Sequence, residues 1–154
     1  MKYMTGVAAG MACLEGDGVI HRNLRCANLL ISEDDTCKIS DYGMGTKEDI
    51  KKGIRFPIKW TAPEAYAQQI FTSKSDVWSF GVVIYEVFSY GKEPYEGMDP
   101  REVFTNVFQE GERLSPPGEC RSPWSSIMPQ CFHLNPEKRP NFQTIKTQTH
   151  GGSE

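Results

Sequence analysis

The stretch from Ile20 to Leu30, IHRNLRCANLL, carries residue types that suit a loop that handles phosphate. It holds two arginines, Arg22 and Arg25, and two asparagines, Asn23 and Asn28, before an apolar end. A phosphate-handling loop of this form is expected to carry a carboxylate at Asn23. A carboxamide can orient a hydroxyl through its oxygen, but it cannot accept a proton near neutral pH. The residue at this position therefore decides whether the loop belongs to an enzyme or to the remains of one.

The loop lies between two elements that the apolar pattern predicts. Apolar residues from Met1 to Leu14 recur at steps of three and four, which indicates an amphipathic helix ending near Gly16 to Gly18. Two short apolar runs, Leu29–Ile31 and Cys37–Ile39, flank the acidic, turn-prone segment Ser32–Thr36 and predict a small hairpin. The polar residues of the loop are thus expected between a helix and a hairpin.

Further helices are predicted downstream. The segment from about Ser75 to Ser89 is apolar on all faces, which is typical of a central buried helix, so Asp76 at its start is conspicuous. Asp99 is a candidate N-cap, followed by a proline at the first helical position, and predicts a helix through Val103–Phe108. Ser122-Pro123-Trp124 is interpreted in the same manner. Pro140 is expected to open a last helix, and we predict one domain over residues 1–148 with a flexible tail at 149–154.

Composition bounds the class of protein. A chain of 154 residues with 38% hydrophobic residues can bury one sizeable core. The net charge of −3 and the scattered basic residues argue against a nucleic-acid partner. With no basic leader and no apolar run of roughly 18 to 20 residues, neither a signal peptide nor a membrane span is expected, which favours a cytoplasmic location.

The cysteines are odd in number, widely spaced and without a Cys-x-x-Cys pair. They are Cys13, Cys26, Cys37, Cys120 and Cys131. This usage predicts ordinary buried thiols in a reducing compartment rather than a disulfide framework or a metal site.

The order of motifs along the chain points to a family. His21-Arg22-Asn23 is followed by Asn28, then by the hairpin, then by Asp41-Tyr42-Gly43, and later by Ala62-Pro63-Glu64. This series resembles the protein-kinase motifs His-Arg-Asp-Leu-x-x-x-Asn, Asp-Phe-Gly and Ala-Pro-Glu in order and spacing. The stretches FPIKWTAPEA, SKSDVWSFGVVIYEVFSYGKEPYEGM and CFHLNPEKRPNF resemble the C-terminal lobe of a tyrosine kinase. Arg25 resembles the arginine of a Src-like, non-receptor catalytic loop.

The resemblance covers nearly the whole chain and implies a fold. That fold is mainly α with a small β-hairpin, as in the C-terminal lobe of a protein kinase, and without the N-terminal lobe. The implied activity is transfer of a phosphoryl group from ATP to protein tyrosine, with Mg²⁺ as the metal.

The resemblance also implies roles for individual residues. The implied catalytic loop comprises His21, Arg22, Asn23 and Arg25. Asn23 stands where the family carries the aspartate that accepts the proton of the substrate hydroxyl. Asn28 and Asp41 would hold Mg²⁺, and Leu30 would lie under the adenine of ATP. A turn role for Asn28 and Asp41, and a core role for Leu30, are the simpler alternatives.

A second group of residues is implied to bind substrate or to support the site. Pro57 and Trp60 would form the platform for a substrate tyrosine, although packing of a rigid turn explains both residues as well. Glu64 and Arg139 resemble the ion pair that ties the Ala-Pro-Glu segment to the rest of the lobe. Asp76 resembles the aspartate that hydrogen-bonds the backbone of the catalytic loop.

Two departures from the family pattern lower the expected activity. Asn23 removes the general base, whose contribution is roughly 10² to 10⁴ in rate. The glycine-rich loop and the Val-Ala-Ile-Lys motif do not occur, so binding of ATP and Mg²⁺ is expected to be weak or absent. Glu48 and Asp49 could replace a missing loop phosphate by pairing with Arg22, but solvation of a surface loop is the simpler interpretation.

Three hypotheses follow for the function. The first is a tyrosine kinase lobe that is catalytically dead or severely impaired as it stands. The second is a non-catalytic pseudokinase lobe that binds partner proteins through the Pro57–Trp60 platform and the Val103–Phe108 helix. The third is a gene fragment that lacks upstream coding sequence.

Overall fold

The chain is described by a computed structural model that covers residues 2–40 and 56–150, except for the side chain of His150. The elements in chain order are α1 Lys2–Gly16, β1 Leu29–Ile31, β2 Cys37–Ile39, α2 Pro63–Gln68, α3 Ser73–Phe88, α4 Pro100–Val103, α5 Trp124–Cys131 and α6 Phe142–His150. Short 3₁₀ segments lie at Cys26–Asn28 and Pro136–Lys138, and a π-helical segment, Phe104–Gln109, continues α4. The predicted fold class, mainly α with a small hairpin, is confirmed.

Helix α3 is the centre of the core, as its uniformly apolar sequence predicts. Its residues from Ser75 to Ile84 are all buried. The helix begins at Ser73, two residues earlier than predicted, because Thr72 caps it. The Thr72 hydroxyl accepts a hydrogen bond from the Lys74 N–H at 3.1 Å, and the Ser75 hydroxyl accepts one from the Thr72 N–H at 2.9 Å. These reciprocal bonds satisfy amide groups that would otherwise be left open at the helix start.

A glycine allows α3 to approach α5 closely. A Cβ placed on Gly81 would lie 2.7 Å from the Cβ of Cys131 and 2.8 Å from Cε1 of Phe132. Both neighbours are buried, so neither can move aside without disturbing the core. The close contact between these helices therefore depends on the absence of a side chain at position 81.

We expect Gly81→Ala to destabilise the fold. Overpacking a filled core costs about 1 to 3 kcal/mol, which outweighs the gain of roughly 1 kcal/mol in helix propensity from alanine. Urea denaturation followed by circular dichroism measures the change in the free energy of unfolding. Gly16→Ala is the matched control, because a Cβ there has no neighbour within 4 Å. A Gly81→Ala variant as stable as that control would contradict this packing account.

Helix α1 and the hairpin lie against one another and fix both ends of the loop between them. The predicted hairpin is present and antiparallel, with Leu29 opposite Ile39 and Ile31 opposite Cys37. A Cβ on Gly10 of α1 would lie 2.7 Å from Cδ1 of Ile39. Gly10, which has a low helix propensity, thus leaves room for the Ile39 side chain of β2.

Helix α6 packs against α1 and begins at Phe142, two residues after Pro140. Asn141 caps it by accepting a hydrogen bond from the Thr144 N–H at 2.7 Å. Glu15, in the last turn of α1, accepts further bonds from the N–H groups of Phe142 and Gln143, at 2.9 and 3.3 Å. The helix continues through the predicted start of the tail, where Thr149 is only 4% exposed, and residues 151–154 lie outside the described part of the chain.

The two proline-led helix starts differ. Asp99 caps α4 as predicted, since its carboxylate accepts a hydrogen bond from the Glu102 N–H at 2.8 Å. At α5 the predicted serine cap is wrong: Pro123 precedes the helix, and no side chain caps it. The peptide bond between Ser122 and Pro123 is cis, an arrangement outside the N-cap pattern used for the prediction.

The cysteines and the possible membrane spans were also predicted from the sequence. The five cysteines are unpaired, but Cys13 is exposed, so the prediction of buried thiols is wrong for that residue because it lies on the outer face of α1. Within residues 2–40 and 56–150, no helix combines the length and the apolar character needed to cross a membrane.

Candidate active site

The predicted catalytic loop is held by Asp76 in the first turn of α3. The Asp76 carboxylate accepts hydrogen bonds from the backbone N–H of His21 at 2.7 Å and of Arg22 at 3.0 Å. Arg22 has a φ of 73°, a left-handed conformation that is uncommon for residues other than glycine. The two bonds to Asp76 hold the backbone in this conformation. The predicted contact between Asp76 and the loop backbone is thus present.

His21 acts as an internal support of the loop. The Asn23 N–H donates to Nδ1 of His21 at 3.1 Å, so Nδ1 is an acceptor and the ring proton lies on Nε2. Nε2 then donates to the backbone carbonyl of Ser40 at 2.8 Å. The imidazole is buried and connects the loop to the residue after β2. This placement suits a structural role for His21 within the loop.

The environment of Asp76 changes its acidity. Burial raises the pKa of this carboxyl to about 6, although the backbone N–H groups of His21 and Arg22 and the charge of Arg22 oppose the shift. The folded chain therefore binds a proton near pH 5 that the unfolded chain, with a carboxyl of ordinary pKa 3.8, does not bind.

We expect Asp76 to make the chain more stable at pH 5 than at pH 7. When folding raises the pKa of a carboxyl, the protein loses stability as the pH rises through the folded-state pKa. Here the loss is about 1 kcal/mol. The free energy of unfolding, measured at both pH values for the native chain and for Asp76→Asn, isolates this contribution as the difference between the two pH dependences. The ¹³C shift of the Asp76 carboxyl gives a second readout. Equal pH dependence in both proteins would refute the assignment.

Asn28 lies beside Asn23 at the start of the hairpin. Its side-chain amide donates to the backbone carbonyl of Asn23 at 2.6 Å. Its own carbonyl accepts from the N–H and the hydroxyl of Ser40, at 2.9 and 2.8 Å. The remaining Oδ1 of Asn28 is an oxygen of the type that Mg²⁺ binds, so the residue fits the implied metal site. Asp41, the other predicted ligand, lies outside the described residues, as do Glu48 and Asp49.

Leu30 is placed where a ligand can reach it. Its side chain is 56% exposed on β1, so the alternative interpretation as a core residue is wrong. The opposing residue in the register is Lys38. Alternation along a strand explains the exposure, because Leu29 on the other face packs against the core.

Arg25, Trp60 and Glu86 form a cluster on the other side of the loop. The guanidinium of Arg25 lies 4.0 Å from the centre of the Trp60 ring. The indole N–H of Trp60 donates to Oε1 of Glu86 at 2.7 Å, and the same oxygen accepts from the Cys26 N–H at 3.0 Å. Glu86 thus ties the loop to the segment that carries Trp60. Burial, with Glu86 as a further cause, raises the pKa of the Cys26 thiol to about 12, so the thiol stays protonated.

Three polar residues on one face of α3 contact the loop and the segment that carries Trp60. Ser79 and Glu86 follow Asp76 by three and ten residues, close to one and three turns of about 3.6 residues. Asp76 and Glu86 hold the loop, while Ser79 donates to the carbonyl of Trp60 at 2.7 Å. The sequence reading missed Ser79 and Glu86. Their signal was available: they are polar residues on the Asp76 face of a helix that is mainly apolar after its first turn.

Two buried polar atoms in the loop have no hydrogen-bond partner within the described ranges. They are Oδ1 of Asn23 and Nε of Arg25. Buried polar atoms are nearly always paired in folded proteins, so these two atoms need a partner that the described residues do not supply. Both atoms belong to residues that the family resemblance implies for catalysis.

The predicted platform residues line a cavity of about 710 Å³. Pro57 and Trp60 share a turn in which the Pro57 carbonyl accepts from the Trp60 N–H at 3.0 Å and from the Thr61 hydroxyl at 2.8 Å. The other lining residues are Phe56, Ile58, Lys59, Ala65, Tyr66, Gln69, Glu93, Met98 and Pro100. The cavity is mainly apolar, with one ion pair, Lys59 to Glu93 at 3.1 Å, at its edge.

Glu64 and Arg139 form the expected ion pair. Two guanidinium nitrogens of Arg139 donate to the two carboxylate oxygens of Glu64, at 2.8 and 2.9 Å. Arg139 also donates to the carbonyls of His133 at 2.8 Å and Lys74 at 2.9 Å. Its side chain has no exposed surface. The pair connects α2, which follows the platform residues Pro57 and Trp60, to the segment that carries Arg139.

Comparison with known proteins identifies the family. The family model described as protein tyrosine and serine/threonine kinase matches residues 1–149. The chain belongs to this family. The loop held by Asp76, with asparagine at position 23, therefore belongs to a kinase-family chain.

The most similar relatives include tyrosine kinases. The megakaryocyte-associated tyrosine-protein kinase of Rattus norvegicus is 44% identical over 148 residues, which are 94% of this chain and 31% of that protein. The tyrosine-protein kinase SRK3 of Spongilla lacustris is 45% identical, with 91% of this chain and 43% of that protein covered. Ephrin type-A receptor 1 of Mus musculus is 41% identical, with 97% and 16% covered. This kinase-family chain spans less than half the length of each.

Proposed function

We propose that this chain is part of a protein tyrosine kinase domain whose catalytic loop binds and orients a substrate tyrosine but cannot remove its proton. The observation that carries the proposal is the loop itself. Asp76 and Glu86 hold it from α3 through four hydrogen bonds to the loop and to Trp60, and Asn23 occupies the position of the general base.

The side chains around the loop would divide the work of binding. Trp60 and Pro57 offer an aromatic and a rigid surface to the substrate ring. Arg25, stacked on Trp60, supplies positive charge near the hydroxyl. Asn23 can accept a hydrogen bond from that hydroxyl, but its amide has no basic site near neutral pH. The loop would therefore still bind the substrate tyrosine, while the proton of its hydroxyl would have to pass to water.

Mg²⁺ and ATP belong to the proposal as family cofactors. Asn28 and Asp41 would hold the metal, which neutralises charge on the phosphates when it is bound. Leu30, with its exposed side chain, would lie against the adenine. Binding is expected to be weak or absent in the chain alone, because the motifs that cradle the phosphates do not occur in its sequence.

Turnover is the direct test of this function. Purified chain is incubated with Mg-ATP and poly-Glu-Tyr, and phosphotyrosine is quantified against a heat-killed sample. We expect no excess over the heat-killed sample, because Asn23 leaves the loop without a general base. Clear phosphotyrosine formation would refute the proposed impairment.

A non-catalytic interaction module is the second candidate, favoured by the surface next to the platform. Phe104 is 37% exposed in the segment that continues α4, and Tyr66 beside it contacts Phe108 with ring centres 6.0 Å apart. The structure narrows the predicted Val103–Phe108 surface, because Val103 and Val107 are buried in the core and cannot face a partner. A protein partner and a cytoplasmic location stay predictions.

We expect Phe104→Ser to reduce association if this surface binds proteins. Size-exclusion chromatography with light scattering, at increasing concentrations, compares the native chain with the variant. A native chain that associates and a variant that remains monomeric would support the module. A native chain that stays monomeric throughout, with or without the substitution, would count against a surface that associates with other proteins.

A further inference from the structure

We propose that the loop of this chain binds phosphotyrosine, so that it retains the phosphorylated side chain of a partner protein instead of producing it. The inference deepens the proposed function and rests on it, since the same platform would receive the ring. It concerns the chemical form of the ligand, which the substitution at position 23 changes.

Two arginines, Arg22 and Arg25, supply positive charge at the loop. Arg22 and Arg25 make no ion pair with any residue in the ranges 2–40 and 56–150. The guanidinium carbon of Arg25 lies 4.0 Å from the centre of the Trp60 ring, beside the surface that would receive a substrate ring. Its Nε is buried without a partner in that part of the chain. Arginine forks of this kind recognise phosphate with two parallel hydrogen bonds.

The nearby carboxylates face other donors. Asp76 is buried and accepts from two backbone N–H groups. Glu86 accepts from the indole N–H of Trp60 and from the N–H of Cys26. His21 is buried and donates to the carbonyl of Ser40. Among the described residues, Arg22 and Arg25 are thus the charged groups near Asn23 that make no ion pair. Asp41 lies outside the described residues.

Position 23 decides which form of tyrosine is preferred. An aspartate there places a negative charge next to the acceptor oxygen and would repel a phosphate that carries a charge of about −1.5 to −2. Two such charges about 5 Å apart near a protein surface oppose binding by at least ten-fold. Asn23 removes this repulsion, and its amide offers N–H donors to the phosphate oxygens. The change that removes the base therefore favours the product-like ligand.

Two labelled peptides test the inference. A fluorescein-labelled, alanine-rich nonapeptide with a central phosphotyrosine and its tyrosine twin are titrated with the purified chain in EDTA, with fluorescence anisotropy as the readout. We expect the phosphopeptide to bind at least ten-fold more tightly than the twin. Asn23→Asp should weaken phosphopeptide binding about 10- to 100-fold and so remove most of the preference for the phosphopeptide over the twin.

The controls separate charge from folding. Arg25→Gln should weaken the phosphopeptide, whereas Lys138→Gln, which removes an exposed positive charge in the 3₁₀ segment Pro136–Lys138, should not. Thermal unfolding checks that each variant is folded. If both peptides bind equally, the platform stands and the phosphotyrosine preference is wrong. If neither peptide binds, both the substrate platform of Pro57 and Trp60 and the phosphotyrosine inference are wrong. Phosphopeptide affinity unchanged by Asn23→Asp would also overturn it.

Discussion

Asn23→Asp is expected to raise tyrosine phosphorylation by about 10² to 10⁴ when this chain is expressed as part of a complete tyrosine kinase domain. The reason is local. The loop is already fastened to α3, and Asn28 donates to the backbone of residue 23, so a carboxylate there would be oriented without rearrangement. Its two oxygens could then accept the proton that the amide cannot.

The measurement is the initial rate of phosphotyrosine formation on poly-Glu-Tyr with saturating Mg-ATP. Asn23→Ala is the matched control, because it removes the amide without supplying a base, and it should show no gain. An Asn23→Asp rate within two-fold of the native rate would mean that the base is not what limits transfer. In that case the impairment would have to be sought elsewhere in the protein.

Arg139→Met should cost about 3 to 5 kcal/mol of stability, the range for breaking a buried ion pair from one side. The substitution removes partners from Glu64 and from the carbonyls of His133 and Lys74, and Arg139 has no exposed side-chain surface through which water could replace them. Methionine fills much of the volume, so the loss reports polar interactions more than a cavity.

Urea denaturation of Arg139→Met, Glu64→Gln and the double variant measures this effect. The double variant should lose less than the sum of the single losses, because either substitution alone already breaks the pair. Glu93→Gln is the control: it breaks the ion pair with Lys59, but Glu93 is 58% exposed and such pairs contribute at most about 1 kcal/mol. A loss below about 1 kcal/mol for Arg139→Met would contradict the role assigned to the pair.

Much of the fold could be predicted because local pattern and burial agree. The hairpin followed from two short apolar runs around an acidic turn, and α3 followed from an apolar segment too uniform to lie at a surface. The start of α3 was missed by two residues because Thr72, not a residue of the apolar segment, supplies the cap. At α5 the capping motif is present in the sequence, but no side chain caps the helix. The peptide bond before Pro123 is cis, which the sequence does not show.

The candidate site was only partly predictable. The positions of His21, Asn23 and Asn28 followed from motif order, which is preserved along the chain. Glu86 was missed because its partners, Cys26 and Trp60, are 60 and 26 residues away, and only the folded chain brings them to one oxygen. Gly10 has a low helix propensity, and only the folded chain shows that it faces the Ile39 side chain of the hairpin.

The central claim is that the loop keeps the geometry of a kinase and lacks only its proton acceptor. A crystal structure of the chain grown with Mg²⁺ tests it most directly. The account predicts that Asn28 Oδ1 and the Asp41 carboxylate converge on one metal position, with both backbone N–H groups of His21 and Arg22 bonded to Asp76. Asn28 and Asp41 pointing to separate places, or a loop detached from Asp76, would contradict it.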